Sequence, residues 1–244
     1  MVEEQIFLNF IGMIFETIII ILSLIILVLI LLKYRSKRHK LTLLLFAIFL
    51  LYFFAIVFSW ISKILVVIDF NYSLLDPFSL WFLYRLSDFR LSEFLVTIAI
   101  ALSYMLKVRL FHDDYNLRHK YVVIGYGAFT AFYTLILYER GNTFLDIIAF
   151  FAVFAYMLMI YLPFLLRSIE FYRNVGQKEF KMGFLGLAVM SLGFILIFLG
   201  FAIDRIFILL GSLGFTFFYF MAWSSGIIGI FGAYMGYIRP KTSK

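Results

Sequence analysis

The 244-residue sequence contains no cysteine. This excludes disulfides, thiolate metal sites, cysteine nucleophiles and palmitoylation. Charge is scarce, at 14% of residues. Histidine is scarcer still: His39, His112 and His119 all sit in polar breaks, none within an apolar run. A hydrolase needs a metal-ligand set or a nucleophile–base pair at the depth of its reaction, so this distribution argues against an enzyme. No HExxH or comparable metal-ligand spacing occurs. There is no low-complexity segment, linker or separate soluble domain. Glu3 and Glu4 precede the first apolar run where a signal peptide would carry a basic segment, and no small-residue cleavage site follows it.

What the chain does contain is apolar. Hydrophobic residues make up 65% of it, and the mean hydropathy is +1.05. A soluble domain of this length has too little interior to hide that much apolar surface. Seven long apolar runs alternate with short polar breaks: Ile6–Leu32, Leu41–Ile68, Leu86–Leu106, Tyr121–Tyr138, Thr143–Leu166, Met182–Ile203 and Phe207–Ile238. Their length and continuity predict helices, since barrel strands are short and alternate. The expected fold is all-α: one polytopic seven-helix transmembrane bundle over residues 1–244.

The formal net charge of +7 does not point to nucleic acid, because the basic residues sit where membrane orientation needs them. The odd-numbered breaks and the C-terminal tail hold 16 of the 21 lysines and arginines. The first break alone contributes Lys33, Arg35, Lys37, Arg38 and Lys40. Basic loops stay in the cytoplasm, which predicts an outside N-terminus, a cytoplasmic C-terminus and a multi-pass cell-membrane protein. The longest outer break, Asp69 to Arg85, is interrupted by Pro77. Beyond it, Phe78, Trp81, Phe82, Tyr84 and Arg85 suit an interfacial half-helix or an inward-folding lid.

Polar residues recur on single helix faces inside the runs. Asn9, Glu16 and Ser23 share one face; Tyr52, Ser59 and Lys63 share another, with Ser62 beside them. Arg90, Glu93, Thr97 and Tyr104 form a third stripe; Tyr126, Thr130 and Tyr133 a fourth; Asp146 and Tyr156 mark the fifth run, and Ser212, Thr216, Tyr219 and Trp223 the seventh. Polar groups in hydrocarbon are costly, so these faces should point inward. The ionisable residues concentrate in the outer half. The expected ligand site is an outward-opening pocket of Glu16, Lys63, Glu93, Tyr133, Asp146, Tyr219 and Trp223. The simpler reading is that Lys63 pairs with Glu16 or Glu93 and only locks helices together.

Glycine forms the second pattern. Gly186, Gly193 and Gly200 recur at sevenfold spacing, and Gly226, Gly229, Gly232 and Gly236 follow in the last run. Small residues let helices approach closely, so these two runs should pack on each other, with a sliding surface or a dimer seam as alternatives. The break Lys107–Lys120 contains two histidines and two aspartates, but its composition suits a solvated loop against anionic headgroups.

The seven-run, outside-N layout invites comparison with retinal proteins and G-protein-coupled receptors. Phe207–Ile238 has no lysine for a Schiff base, and the inner end of the third run, Tyr104-Met105-Leu106-Lys107-Val108-Arg109, lacks a receptor DRY motif. The aromatic-rich bundle ending after Tyr237-Ile238-Arg239-Pro240 does resemble, in layout across the whole chain, the seven-span sensor region found ahead of prokaryotic histidine kinases. That resemblance implies ligand sensing from outside or within the membrane. The kinase domain is lacking, so output would pass to a cytoplasmic or membrane protein partner. The expected function is therefore a sensor- or receptor-like protein that binds a small molecule or lipid, with no catalytic residues, cofactor or metal. A small transporter or channel using Glu16, Glu93 and Lys63 as a relay, and a structural subunit of a membrane complex, are the alternatives.

Overall fold

The computed structural model describes residues 2–73, 75–111, 117–137 and 139–238. The break at His112–Asn116, Tyr138 and the tail from Arg239 lie outside the described residues. The described chain is helical: α1 (Val2–Lys37), α2 (Lys40–Val67), α3 (Pro77–Ser87), α4 (Arg90–Phe111), α5 (Leu117–Leu135), α6 (Thr143–Asn174), α7 (Lys178–Leu209) and α8 (Phe217–Ala233), which ends in a π turn, Tyr234–Ile238.

Six of these helices are long and apolar enough to cross a membrane: α1, α2, α4, α6, α7 and α8. The seventh expected run is α5, which is not among the six. Arg118, His119 and Lys120 open it, and Tyr126, Thr130, Tyr133 and Thr134 dilute its hydropathy. The bundle is inverted relative to a soluble protein. On α1, Asn9, Glu16 and Ser23 are buried, while Phe7, Ile14, Ile21, Ile25 and Leu32 are exposed. Such a surface is stable only against lipid. At 1.5 Å per residue the 36 residues of α1 reach about 54 Å, well beyond a ~30 Å hydrocarbon core, so this helix tilts or projects from the bilayer.

The segment after Pro77 is the short helix α3. Pro77 opens it, and Asp76 caps it by accepting from the Phe78 and Ser79 amides at 3.1 and 3.0 Å. Hydrogen bonds from Ser79 hold the Asp76 carboxyl below its ordinary range. The 11 residues of α3 extend only about 16 Å, too short to span. Phe78, Trp81 and Phe82 are exposed, and Arg85 stacks on Trp81 at 4.0 Å, a composition suited to the headgroup layer.

Two boundaries differ from the sequence reading. The expected third run began at Leu86, but the chain turns at Asp88–Phe89 and α4 starts at Arg90. The expected break at Asp204–Arg205 is helical, and α7 continues to Leu209. Its charges are accommodated by the fold: Asp204 accepts from the Thr216 amide and hydroxyl at 2.8 and 2.7 Å. The true break contains Gly211 and Gly214, with φ of +96° and +82°, conformations glycine adopts without strain. Phe207–Thr216 therefore precedes α8 rather than opening it.

The glycine rows meet. A Cβ on Gly186 would lie 2.5 Å from the Gly236 amide nitrogen, and one on Gly193 would lie 2.7 Å from the Ser225 carbonyl oxygen. A Cβ on Gly232 would lie 2.5 Å from the Met190 amide nitrogen, and one on Gly200 would lie 2.8 Å from the Phe218 carbonyl oxygen. α7 and α8 thus pack backbone to backbone, where dispersion replaces the hydrophobic drive that lipid cannot supply. A Cβ on Gly229 would lie 3.2 Å from the Phe194 ring, whereas one on Gly226 would make ordinary contacts with Ile197 at 3.4 Å and Trp223 at 3.9 Å.

Candidate functional site

Two buried ionic clusters lie toward the N-terminal ends of α1, α4, α6 and α8. In the first, Lys63 Nζ donates to Glu16 Oε1 at 2.7 Å, with both side chains essentially sealed from solvent at 1% and 0% exposure. Ser59 Oγ donates to the same oxygen at 2.6 Å and Tyr219 OH at 3.1 Å. Oε1 thus has three donors, whereas buried Oε2 has no protein hydrogen bond. Gly12, one turn before Glu16, makes room for this group: a Cβ there would lie 3.1 Å from Lys63 Cε and 2.6 Å from Phe215.

In the second cluster, Arg90 Nη1 donates to Glu93 Oε2 at 2.7 Å, and Nη2 pairs with Asp146 Oδ1. Arg90 joins α4 to α6, because Glu93 is one turn along its own helix and Asp146 lies in the first turn of α6. Glu93 Oε1 is buried without a hydrogen bond, as is Ser92 Oγ. Removing charges from water costs several kcal/mol per ion, and only close pairing offsets it.

Glu16 and Glu93 line one cavity of about 100 Å³. Its walls are rich in aromatic rings, among them Tyr52, Phe150, Phe194, Phe198, Phe201 and Trp223. Phe194 lies 4.8 Å from Tyr52, and Phe201 lies 5.1 Å from Trp223, ring centre to ring centre. A second cavity of about 190 Å³ is lined by Asn9, Ser62, Asp88 and Asp146 among others. The two share Phe89, Asp204, Arg205 and Tyr219, which form the neck between them. The Arg205 guanidinium lies over the Phe89 ring at 5.2 Å and the Phe150 ring at 4.9 Å.

No protein-family model, curated protein or solved structure matches this chain. The site must be read from its own chemistry.

Of the residues singled out from sequence, Glu16, Lys63 and Tyr219 share one hydrogen-bonded group. Glu93 and Asp146 meet through Arg90, and Trp223 lines the same cavity. Tyr133 does not line the cavity but lies beside the second cluster of Arg90, Glu93 and Asp146, its hydroxyl donating to the Leu145 carbonyl at 3.3 Å. Sequence reasoning missed Gly12, Phe89, Phe215, Asp204 and Arg205. Gly12 had a signal, since it shares the face of Glu16 one turn away. Phe89 and Phe215 had none. Both adopt positive φ, +65° and +53°, a conformation that costs a bulky residue roughly 1–3 kcal/mol and persists only where surrounding structure holds it. The Phe89 ring lies 4.7 Å from Lys63 Nζ, and Phe215 packs edge-on to Tyr219 at 4.8 Å.

Below the cavity, Tyr52 and Tyr161 exchange a hydroxyl hydrogen bond at 3.1 Å, and Tyr161 also meets Ser103 Oγ at 2.7 Å. This ties α2, α4 and α6. Farther along, Phe164 packs on Phe111, which contacts Phe171 and Phe184, all within 6.3 Å. Among the described residues no His, Cys, Asp and Glu group is placed to hold a metal ion.

Proposed function

We propose that this chain is a sensor-like cell-membrane protein that binds a small molecule in the outer half of a seven-crossing bundle and transmits a helix displacement to a cytoplasmic partner. It resembles in layout the sensor region of prokaryotic histidine kinases, and works without catalysis of its own.

The carrying observation is the aromatic-rich cavity lined by two buried carboxylates, Glu16 and Glu93, each with one oxygen that has no protein hydrogen bond. Buried polar atoms without partners are costly, and a pocket with a few convergent polar groups is the usual form of a ligand site.

Seven crossings are supported by the path of α5. Arg90 at the start of α4 pairs with Asp146 at the start of α6, so the chain returns across the thickness that α4 traverses. α5 is the helix available for it, and Arg85 Nε in the last turn of α3 donates to Leu135 O at the C-terminal end of α5, 2.7 Å away. An outside N-terminus follows from the basic breaks.

A sensor is favoured over a transporter because the polar lining stops. A third cavity near Lys33 and Tyr237 shares no lining residue with the first. Along the helices, buried Ile26, Ile48, Ile100 and Ile160 come between them.

The test is a melting screen of the purified chain against diverse small amphiphiles. At least one should stabilise it saturably, and Ala55→Phe, which fills the cavity wall, should abolish the effect. Absence of any stabilising compound, or stabilisation indifferent to Ala55→Phe, overturns the reading.

A further inference from the structure

We infer that the ligand of this cavity is a compact organic cation: an ammonium group on a small apolar or single-ring body, its N–H donors shared between Glu16 Oε2 and Glu93 Oε1. The inference rests on the ligand-binding reading above and specifies its chemistry.

Glu16 and Glu93 are 0% and 2% exposed, and each has one oxygen engaged by a protein cation and one without a protein donor. An ionised carboxylate oxygen only accepts. The complementary ligand group is therefore a donor, and a charged donor makes the stronger bond.

Charge points the same way. Three cations, Lys63, Arg90 and Arg205, face four carboxylates, Glu16, Glu93, Asp146 and Asp204. A monocation balances this set, whereas an anion would deepen the imbalance. Lys63 and Arg90 are already turned onto carboxylates, and Arg205 lies over two rings at the neck.

The walls suit the rest of such a molecule. Phe150, Phe198, Phe201 and Trp223 line the same cavity as the two glutamates. Aromatic faces attract cations as well as apolar groups, most strongly where water is excluded. A volume near 100 Å³ is small beside a drug-sized pocket of roughly 300–1,000 Å³, which favours a single-ring or short alkyl amine over a lipid.

Three probes of one shape separate the possibilities on the unmodified full-length chain: phenethylammonium, neutral 2-phenylethanol and anionic 3-phenylpropionate, each followed by melting and calorimetry. Phenethylammonium should bind tightest, and Ala55→Phe should abolish its binding. Glu93→Gln leaves Arg90 its Asp146 partner; it should weaken the cation roughly tenfold to hundredfold, the worth of one charged hydrogen bond, and leave the alcohol unaffected. Glu16→Gln combined with Lys63→Met, which removes both charges of the buried pair, is the second variant and should act in the same direction. If the alcohol or the carboxylate binds best and remains sensitive to Ala55→Phe, the pocket stands and the cation assignment falls. If none of the three binds, the cation assignment is overturned; a wider panel that also finds nothing overturns the pocket.

Discussion

Lys63 and Glu16 meet at 2.7 Å through a single carboxylate oxygen, while the other oxygen of Glu16 has no protein hydrogen bond. The pair is therefore both a lock and an open acceptor. It ties α2 to α1 and, through Tyr219, to α8, and Glu16 also lines the cavity.

Breaking this lock on one side should be severe. Lys63→Met leaves Glu16 buried without its cation, a situation that costs about 3–5 kcal/mol. Glu16→Gln with Lys63→Met removes both charges and should recover much of the loss. Thermal melting in detergent reads the series; a double variant no more stable than Lys63→Met alone would contradict the pairing.

The glycine seam gives a graded prediction. Gly193→Ala puts a methyl against backbone at 2.7 Å, and Gly186→Ala does so at 2.5 Å, so helices must shift and melting should fall. Gly226→Ala meets only Ile197 at 3.4 Å and should be tolerated, with a gain in helix propensity. Equal effects at the three positions would show that α7 and α8 do not meet in this register.

Topology is testable without background, because the chain has no cysteine. Ser36 and Ser73 are both exposed. A membrane-impermeant maleimide should label Ser73→Cys on intact cells and Ser36→Cys only after permeabilisation. Labelling of Ser36→Cys from outside would invert the bundle.

Transmission has a candidate relay in Tyr161, whose hydroxyl joins Tyr52 at the cavity to Ser103 on α4. Tyr161→Phe should cost about 1–3 kcal/mol of stability, the worth of two hydrogen bonds. It should leave ligand affinity nearly intact while suppressing ligand-induced changes in hydrogen exchange over residues 104–111. Unchanged exchange coupling would remove Tyr161 from the route.

Much of this architecture is legible before folding. The apolar runs name the solvent, Pro77 marks α3, and the inward faces of α1, α2 and α4 follow from Asn9-Glu16-Ser23, Ser59-Lys63 and Arg90-Glu93-Thr97. These are local properties: transfer free energy accumulates along a run, and helical phase depends on spacing alone. The glycine rows likewise announce a close helix pair. What tertiary structure alone decided is the choice among partners. Lys63 had two candidate acids, and it meets Glu16 because α1 lies beside α2 while Arg90 already holds Glu93. Asp204 and Arg205 read as a loop and became helix, since Thr216 and two aromatic rings satisfy them. Phe89 and Phe215 took left-handed backbone that no propensity foretells. Each of these outcomes depends on contacts between residues far apart in the chain, where packing order, rather than local pattern, sets which charge finds which partner and where the cavity remains.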